Sequence, residues 1–305
     1  MKQYKYPNFF LIGAPKSGTT SLANYLAQHK NVFFSTPKEP WFFSAPEFPG
    51  PFSTYKEYLN LFSGVNSNHK AVGEGSVYYL YSSHAVADIL ERFPSAKFIV
   101  MLRNPVDASF SAFVQTKKGI NKKTRDQFKT FKEAWYAQDD RARGLHIPKG
   151  NGAPEKFQYG KIFSYHHQLV RLFSLVNRDN VHIIIFDDFK SDPKKVYKNV
   201  LSFLELPFQE INSYEAKNTM AVINDSYFLK KLLMELLSIG YNIKRKIGIY
   251  KSFGIISKLY NSKNIKIEKP DYEFRRELIE YFKEDIEKTE KLIGKNLSAW
   301  KNNTL

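Results

Sequence analysis

The stretch that decides the fold is FFLIGAPKSGTTS, residues 9–21. Its first four residues are apolar and lead into Gly13, and such a short apolar run bounded by glycine predicts a buried parallel strand. Apolar residues at helical spacing predict a helix that begins at Thr19. The N–H groups at a helix start are unpaired and partly positive, so a glycine turn at this point favours an anion. A strand, a glycine turn and a helix form the opening unit of a nucleotide-binding α/β fold.

The turn has the spacing of a nucleotide triphosphatase P-loop but lacks part of its chemistry. Gly13 and Gly18 are separated by four residues, as in that loop. A P-loop continues with lysine and a hydroxyl residue, whereas Thr19 and Thr20 follow here and the lysine of the turn is Lys16. The pair that organises Mg²⁺ and a terminal phosphate is therefore missing. A P-loop kinase or nucleotide triphosphatase stays open as an alternative on spacing alone.

Strands and helices alternate along the rest of the chain. KFIVML at 97–102 and VHIIIF at 181–186 predict buried strands, and 70–72 predicts a short one. This alternation indicates an α/β fold with a mainly parallel central sheet, helices on both faces and a P-loop-like phosphate-binding loop after the first strand. Helices are predicted at 19–28, 55–62, 84–92, after 105, at 162–176, 192–204, 226–239 and 271–293. Residues 31–53 are predicted to be a long loop.

Composition and charge narrow the class of partner. The chain has 305 residues, 43% of them hydrophobic, a size that suits one large domain over 1–305. Its net charge of +16 favours anionic partners, and much of the excess lies in 117–132 and 240–269. With no cysteine and no metal-binding histidine spacing, we expect no metal site. We find no signal peptide and no apolar run of ~18 residues, so we expect a cytoplasmic protein.

A second motif follows the strand at 97–102. Arg103 comes directly after it, and Ser111 lies eight residues further on. A guanidinium makes paired hydrogen bonds to phosphate, and a hydroxyl on the following helix adds another. Together with residues 14–22, APKSGTTSL, this arrangement resembles the sulfotransferases that use 3′-phosphoadenosine 5′-phosphosulfate (PAPS). The resemblance implies that residues 14–22 form the 5′-phosphosulfate loop, and that Arg103 and Ser111 bind the 3′-phosphate.

A third segment points to one branch of that family. PKEPWFF at 37–43 is similar to the Lys-Glu-x-x-Phe-Phe segment of heparan-sulfate-type sulfotransferases, and 276–300 resembles the end of bacterial members. The resemblance implies that Glu39 is the catalytic base. If Glu39 is not the base, a histidine such as His84 is the alternative. Trp41 and the two phenylalanines after it are expected to pack in the core, with a platform that stacks on a sugar as the alternative.

The chain departs from that branch in two places. Heparan-sulfate-type enzymes often have a second lysine in a Lys-Ser/Thr-Pro element, but 73–78 reads GEGSVY here. Lys38 is a candidate substitute for that lysine. The second departure concerns the late basic loop that binds the nucleotide in many members. Here Lys217 with Asn218 is the candidate for that loop.

The resemblance implies in-line transfer of a sulfo group from PAPS to a hydroxyl or amine, with PAP as product and no metal. Glu39 takes the acceptor proton and Lys16 stabilises the leaving phosphate. The acceptor is expected to be a carbohydrate or lipid-linked saccharide, and no specific nucleic acid is expected. A non-catalytic protein that binds through its basic surface is a further alternative. The implied donor-binding residues are Lys16, Ser17, Gly18, Thr19, Thr20, Ser21, Arg103 and Ser111.

Two basic segments are expected to elaborate the acceptor side of this single sulfotransferase domain. They are a basic insertion at 117–160 and a basic helical segment at 226–269. The second interleaves lysine and arginine with apolar residues, a pattern of peripheral membrane anchors. Either it rests on an anionic membrane surface, placing the protein at the inner membrane face, or it is a lid with solvated lysines. The sequence does not indicate an oligomeric state.

Overall fold

A computed structural model describes residues 6–117, 125–149, 153–214 and 267–302. One sheet of five parallel strands lies at the centre, in the order β2-β3-β1-β4-β5. The predicted α/β class with a mainly parallel sheet is confirmed. The strands are β1 (Phe9–Gly13), β2 (Val32–Phe34), β3 (Ala71–Gly75), β4 (Lys97–Leu102) and β5 (Val181–Ile185).

Helices cover both faces of the sheet. Several begin where a side chain caps the first turn: Asn104 accepts a hydrogen bond from Val106 N, and Asp192 accepts one from Lys195 N. The helices are α1 (Thr19–Leu26), α2 (Tyr55–Asn60), α3 (Ala85–Arg92), α4 (Pro105–Thr116), α5 (Phe131–Tyr136), α6 (Gln138–Ala142), α7 (Tyr159–Phe163), α8 (His166–Leu175), α9 (Phe186–Ser191), α10 (Pro193–Phe203) and α11 (Tyr272–Ile293). Short 3₁₀ helices lie at Phe42–Ser44, Pro154–Phe157, Arg178–Asn180 and Ser298–Lys301.

Strands β1 and β4 are buried on both faces almost throughout, as their near-continuous apolar runs require. In β1, Phe10 and Ile12 point into one core cluster, while Phe9 and Leu11 point into the other. The larger cluster packs under α3, α4, α8 and α11, and the smaller one under α1, α9 and α10. The carboxyl ends of all five strands therefore meet at one edge, where α/β sheets bind their ligands.

Two predictions of local structure were wrong. Residues 31–53 are not one loop, because β2 pairs with β3 within them and Phe42–Ser44 forms a 3₁₀ helix. The helix predicted at 162–176 is broken between α7 and α8. The backbone N–H groups of Tyr165 and His166 donate to the Asp285 carboxylate, at 2.7 and 3.0 Å, instead of continuing a helix. Asp285 lies on α11, so a distant residue breaks this helix.

The basic insertion predicted at 117–160 contains a part of the core. Its described residues are 117, 125–149 and 153–160, and within them α5 adds Phe131, Ala134 and Trp135 to the larger core cluster. Arg141 and Asp126 are fully buried there and form an ion pair of 2.7 Å. The Arg141 guanidinium lies 4.7 Å from the Phe128 ring centroid and 4.6 Å from that of Phe157. The helix predicted at 226–239 lies outside the described residues.

Candidate active site

The loops that follow the strands are joined by backbone hydrogen bonds at the carboxyl edge of the sheet. Ala14 N donates to Met101 O at 2.6 Å, which joins the loop after β1 to β4. Ser76 N donates to Leu11 O at 3.2 Å, which joins the segment after β3 to β1. The loop after β1 and the segment after β3 are therefore joined at one edge of the sheet, next to the end of β4 that Arg103 follows.

The phosphate loop has a backbone that depends on glycine at one position. Gly18 caps α1 with φ 88°, a left-handed conformation, and a Cβ there would lie 3.1 Å from the Phe186 ring. Lys16 also has a positive φ, of 64°. The first N–H groups of α1, at Thr19 and Thr20, have no acceptor within the helix, because the first turn never does. The loop thus presents donors to an anion.

The side chains of the loop are held at defined positions. Lys16 Nζ donates to Gln115 Oε1 of α4 at 2.8 Å. Ser17 is fully buried, and Ser21 is buried in the first turn of α1. Thr20 is half-buried. The Lys16 ammonium is therefore held against the last turn of α4.

Arg103 connects the second motif to the phosphate loop. Its Nη1 donates to Lys16 O at 3.1 Å, and its guanidinium carbon lies 4.7 Å from the Phe186 ring centroid. Tyr165 OH donates to Arg103 O at 3.0 Å. Asp107, the acid one turn away, pairs with Arg275 at 2.8 Å. Arg103 is therefore oriented by the loop and by an aromatic ring.

Two serines on α4 differ in environment. Ser109 is fully buried, and its hydroxyl donates to Val106 O at 3.0 Å. Ser111 is half-buried. Of these two serines only Ser111 is partly accessible, in keeping with the predicted spacing from Arg103. Its role in phosphate binding stays a prediction.

The Glu39 carboxylate is held by three neighbours. Its Oε2 accepts hydrogen bonds from Val77 N at 2.9 Å and from Trp41 Nε1 at 2.8 Å. Its Oε1 contacts Lys38 Nζ in an ion pair. Glu39 N donates to Gly75 O at 2.9 Å, and Glu39 has a φ of 65°. The carboxylate is thus fixed while remaining partly exposed.

Glu39 lies beside the phosphate loop. A Cβ on Gly13 would come within 3.0 Å of Val77 O, and the N–H of the same Val77 donates to Glu39. The Lys38 side chain crosses Gly75, because a Cβ on Gly75 would lie 3.2 Å from Lys38 Cε. Val77 therefore contacts both the predicted base and the predicted phosphate loop. The aliphatic part of Lys38 packs over Gly75, where a side chain would leave it no room.

The aromatic residues after Glu39 divide into two groups. Phe43 is buried, and Phe42 stacks on Tyr58 with ring centroids 4.9 Å apart, so both belong to the core as predicted. Trp41 is half-buried and lies outside both core clusters. Its ring meets Tyr78 edge-on at 6.0 Å while its N–H donates to Glu39. The prediction that Trp41 packs in the core is therefore wrong.

A second carboxyl group is buried beneath this loop. Ser76 Oγ donates to Glu74 Oε2 at 3.2 Å, and Trp41 N donates to Ser76 Oγ at 3.1 Å. Burial raises the pKa of Glu74 to about 8, and the nearby Glu39 carboxylate acts in the same direction against the opposing hydrogen bonds. Glu74 is therefore neutral at pH 7 and supports the Glu39 loop without adding charge.

Sequence reasoning missed several residues of this site. Gln115 lies four residues after Ser111, so helical spacing from the second motif could have indicated it. Phe186 and Tyr165 are brought to Arg103 only by the fold. His84, the alternative base, pairs instead with Asp88 at 2.7 Å. Lys217 and Asn218, suggested for a nucleotide loop, lie outside the described residues.

The chain matches the family model of the sulfotransferase domain over residues 6–295. It belongs to the sulfotransferase family. Over 97% of its length it superposes on a solved sulfotransferase from Alicyclobacillus acidocaldarius, covering 99% of that chain with a TM-score of 0.70 and 26% identity. The P-loop-like α/β fold with its phosphate-binding loop after β1 is thereby confirmed.

Curated relatives are similar over parts of their length. Mouse carbohydrate sulfotransferase 15 is 25% identical over 66% of this chain and 44% of its own. The membrane-associated sulfotransferase kil1 of Dictyostelium discoideum is 31% identical over 35% of this chain and 22% of its own. The chain thus spans less than half the length of these relatives. Among the described residues, none of the helices combines the length and apolar character that a bilayer crossing requires.

Proposed function

We propose that this protein transfers the sulfo group of PAPS to a hydroxyl or amine of a carbohydrate acceptor. One observation carries the proposal: Val77 lies between Gly13 of the phosphate loop and the Glu39 carboxylate, so an anion-binding loop and a general base are neighbours. A P-loop kinase would need a lysine and a hydroxyl residue directly after Gly18, and the chain lacks that pair.

The residues present fit a nucleotide with anions at both ends. Gly18 permits the left-handed turn that begins α1, where a side chain would press on Phe186, and the start of α1 presents N–H donors to an anion. Arg103 supplies a fork of donors next to this loop, with Ser111 on the following helix. Lys16, Ser17, Gly18, Thr19, Thr20 and Ser21 would hold the 5′-phosphosulfate of PAPS. Arg103 and Ser111 would hold its 3′-phosphate.

The proposed chemistry divides between two side chains. PAPS, when bound, supplies an activated sulfo group with a phosphate as leaving group. Glu39 takes the acceptor proton through Oε1, the oxygen that contacts Lys38, while Oε2 stays fixed by Val77 and Trp41, a contribution typically of ~10²–10⁴-fold in rate. Lys16 and the loop N–H groups stabilise the charge that develops on the leaving phosphate oxygen, and one such donor is typically worth ~10²–10³-fold. No step requires a metal.

The acceptor class rests on relatives and on charge. Mouse carbohydrate sulfotransferase 15 is named for saccharide sulfation, and this chain carries a net charge of +16, which suits an anionic saccharide or a lipid-linked one. We propose a single sulfotransferase domain over 1–305, cytoplasmic, in which 117–160 and 226–269 serve the acceptor side.

Calorimetry tests the donor assignment. PAP should bind much more tightly than 5′-AMP, because only PAP offers the 3′-phosphate for Arg103 and Ser111. Equal affinities, or tight binding of Mg²⁺-ATP instead, would contradict PAPS as donor and favour the P-loop alternative. Sulfo transfer from radiolabelled PAPS to a panel of glycans and glycolipids then identifies the acceptor. Failure to bind PAP at all would leave the non-catalytic alternative.

Membrane contact by 226–269 is tested separately, since this segment lies largely outside the described residues. Binding to anionic liposomes should weaken with salt and fall when Lys244, Arg245 and Lys246 are changed together to Glu, because each basic residue near such a surface is worth roughly 1 kcal/mol. Failure to sediment with any anionic liposome at low salt would favour the lid interpretation.

A further inference from the structure

One lysine of the predicted insertion reaches the candidate active site. Lys156 lies in the 3₁₀ helix Pro154–Phe157, and its Nζ is 4.4 Å from the centroid of the Trp41 ring. The indole N–H of the same Trp41 donates to Glu39 Oε2 at 2.8 Å. The Trp41 indole thus contacts both the Lys156 ammonium and the Glu39 carboxylate, although about 115 positions separate Lys156 from the other two along the chain.

The position of Lys156 is set by the buried core of the insertion. Its neighbour Phe157 is buried, with its ring 4.6 Å from the Arg141 guanidinium. Arg141 is itself fully buried and paired with Asp126 at 2.7 Å. Gln158, the next residue, donates to Gln138 O at 2.7 Å, and the Lys156 N–H donates back to Ala153 O at 3.1 Å. The backbone that carries Lys156 is therefore held by the two residues after it and by a hydrogen bond to Ala153.

Burial of the Lys156 ammonium carries a free-energy cost that the nearby Glu39 charge offsets only in part. Burial lowers the pKa of Lys156, and the charge of Glu39 opposes that shift. Within the described part of the chain, Lys156 has no carboxylate within salt-bridge distance, whereas Lys38 contacts Glu39 directly. The Trp41 ring face is the close partner of the ammonium. A half-buried cation of this kind, placed beside the proposed base, is suited to receive an anion from solvent.

We propose that Lys156 is an acceptor-binding residue that pairs with an anionic group of the saccharide and thereby places the reacting hydroxyl or amine at Glu39. The Trp41 ring forms the floor of this subsite, since its face already holds the ammonium and its edge the base. The inference rests on the proposed function for the identity of the acceptor. Carboxylate and sulfate ester groups share the chemistry that Lys156 would recognise.

Calorimetry with the PAP-bound protein separates this role from turnover. The probes are three oligosaccharides with one backbone: one with uronic acid carboxylates, its carboxyl-reduced neutral form, and that neutral form carrying sulfate esters. Lys156→Met keeps an apolar stem on Trp41 but removes the charge. It should weaken binding of a charged probe about 10- to 100-fold and leave the neutral probe unchanged. The charged probe with the larger loss identifies the anion.

Controls distinguish binding by Lys156 from support of Trp41. Lys156→Arg should restore most of the affinity, and Lys161→Met, at an exposed lysine of α7, should change none of it. An equal loss for charged and neutral probes would overturn the inference in favour of a structural role. Failure of the wild type to bind a charged probe more tightly than the neutral one would also overturn it. Neither outcome depends on sulfo transfer, and the same titrations without PAP test Lys156 even if absence of PAP binding contradicts the proposed donor.

Discussion

The proposed donor side and the proposed acceptor side of the candidate active site are built in different ways. The donor side comprises residues 13–21 with Arg103 and α4, and its elements follow directly from strands β1 and β4. The acceptor side comprises the Glu39 loop and the 3₁₀ helix of Lys156, and it is joined by side chains far apart in sequence. The donor side therefore depends on local backbone geometry, and the acceptor side depends on a buried core beyond the sheet.

The largest effect expected on the acceptor side follows from Glu39→Gln. The amide keeps the size of the side chain but cannot take a proton, so the rate of sulfo transfer should fall ~10²–10⁴-fold. The affinity for PAP should stay unchanged, because no donor-side residue changes. Single-turnover rates and calorimetry measure the two quantities. A near-normal rate would show that Glu39 is not the base. A large loss of PAP affinity would show that Glu39 also affects donor binding, so that the two sides are not independent.

The buried ion pair of Arg141 and Asp126 should matter most for stability. Arg141→Met leaves Asp126 buried without its partner, and such changes typically cost ~3–5 kcal/mol of the free energy of unfolding. Urea denaturation measures this. Arg143→Met is the matched control, because the Arg143 side chain is 71% exposed in its pair with Asp140 and should contribute under ~1 kcal/mol. Equal effects of the two changes would mean that residues 125–160 are not part of the core.

The same contrast explains what could be predicted from the sequence. The donor loop and the Arg103 motif are contiguous patterns whose spacing reflects one turn or one helix, so both could be located before the fold was known. Phe186, which lies under Arg103, is brought there because β4 and β5 are neighbours. The break between α7 and α8 depends on Asp285, 120 residues from Tyr165 along the chain. Such contacts leave no periodic signal in a single sequence.

Lys156 shows why the acceptor side was hard to predict. The sequence predicts a basic insertion for its segment, since residues 117–132 are rich in lysine and arginine. Charge alone does not distinguish a solvated arginine from Arg141, which is enclosed by two aromatic rings and an aspartate. Trp41 was likewise expected in the core because aromatic residues usually pack there. Its indole N–H instead donates to the Glu39 carboxylate, in keeping with the need of an enclosed indole N–H for a polar partner.

A smaller effect on the donor side is expected from Ser111→Ala. Loss of one hydrogen bond to a charged phosphate should weaken PAP binding about 10- to 100-fold without changing acceptor affinity. Ser109→Ala is the matched control, two residues earlier on α4, because the Ser109 hydroxyl is already engaged by Val106 O. Calorimetry with PAP compares the two variants. If Ser109→Ala weakens PAP binding more than Ser111→Ala, the assignment of Ser111 is wrong.

The last effect concerns the pH dependence of stability and Glu74, which lies between the two sides beneath the Glu39 loop. In an unfolded chain this carboxyl ionises with the ordinary glutamate pKa of 4.5, but in the folded protein burial raises the pKa to about 8. Between these values the folded state holds one more proton, so stability falls as pH rises, by roughly 1.4 kcal/mol per pH unit. Below 4.5 and above 8 this contribution to the slope disappears.

Glu74→Gln tests this assignment, because the amide keeps an acceptor for Ser76 Oγ and does not titrate. Urea denaturation at about pH 6 and about pH 7, both inside the interval in which only the folded state holds the proton, should show a smaller fall in stability for the variant than for the wild type. The groups that face Glu74 are Tyr58, Tyr79, Ser76, Glu39 and Lys38. The Glu39 charge raises the pKa of Glu74 further, so Glu39→Gln should lower that pKa. The interval in which stability falls with pH should then end at a lower pH than in the wild type. Parallel pH profiles for wild type and Glu74→Gln would mean that Glu74 is ionised in the folded protein, and its carboxylate would then compete with Glu39 for the neighbouring Lys38.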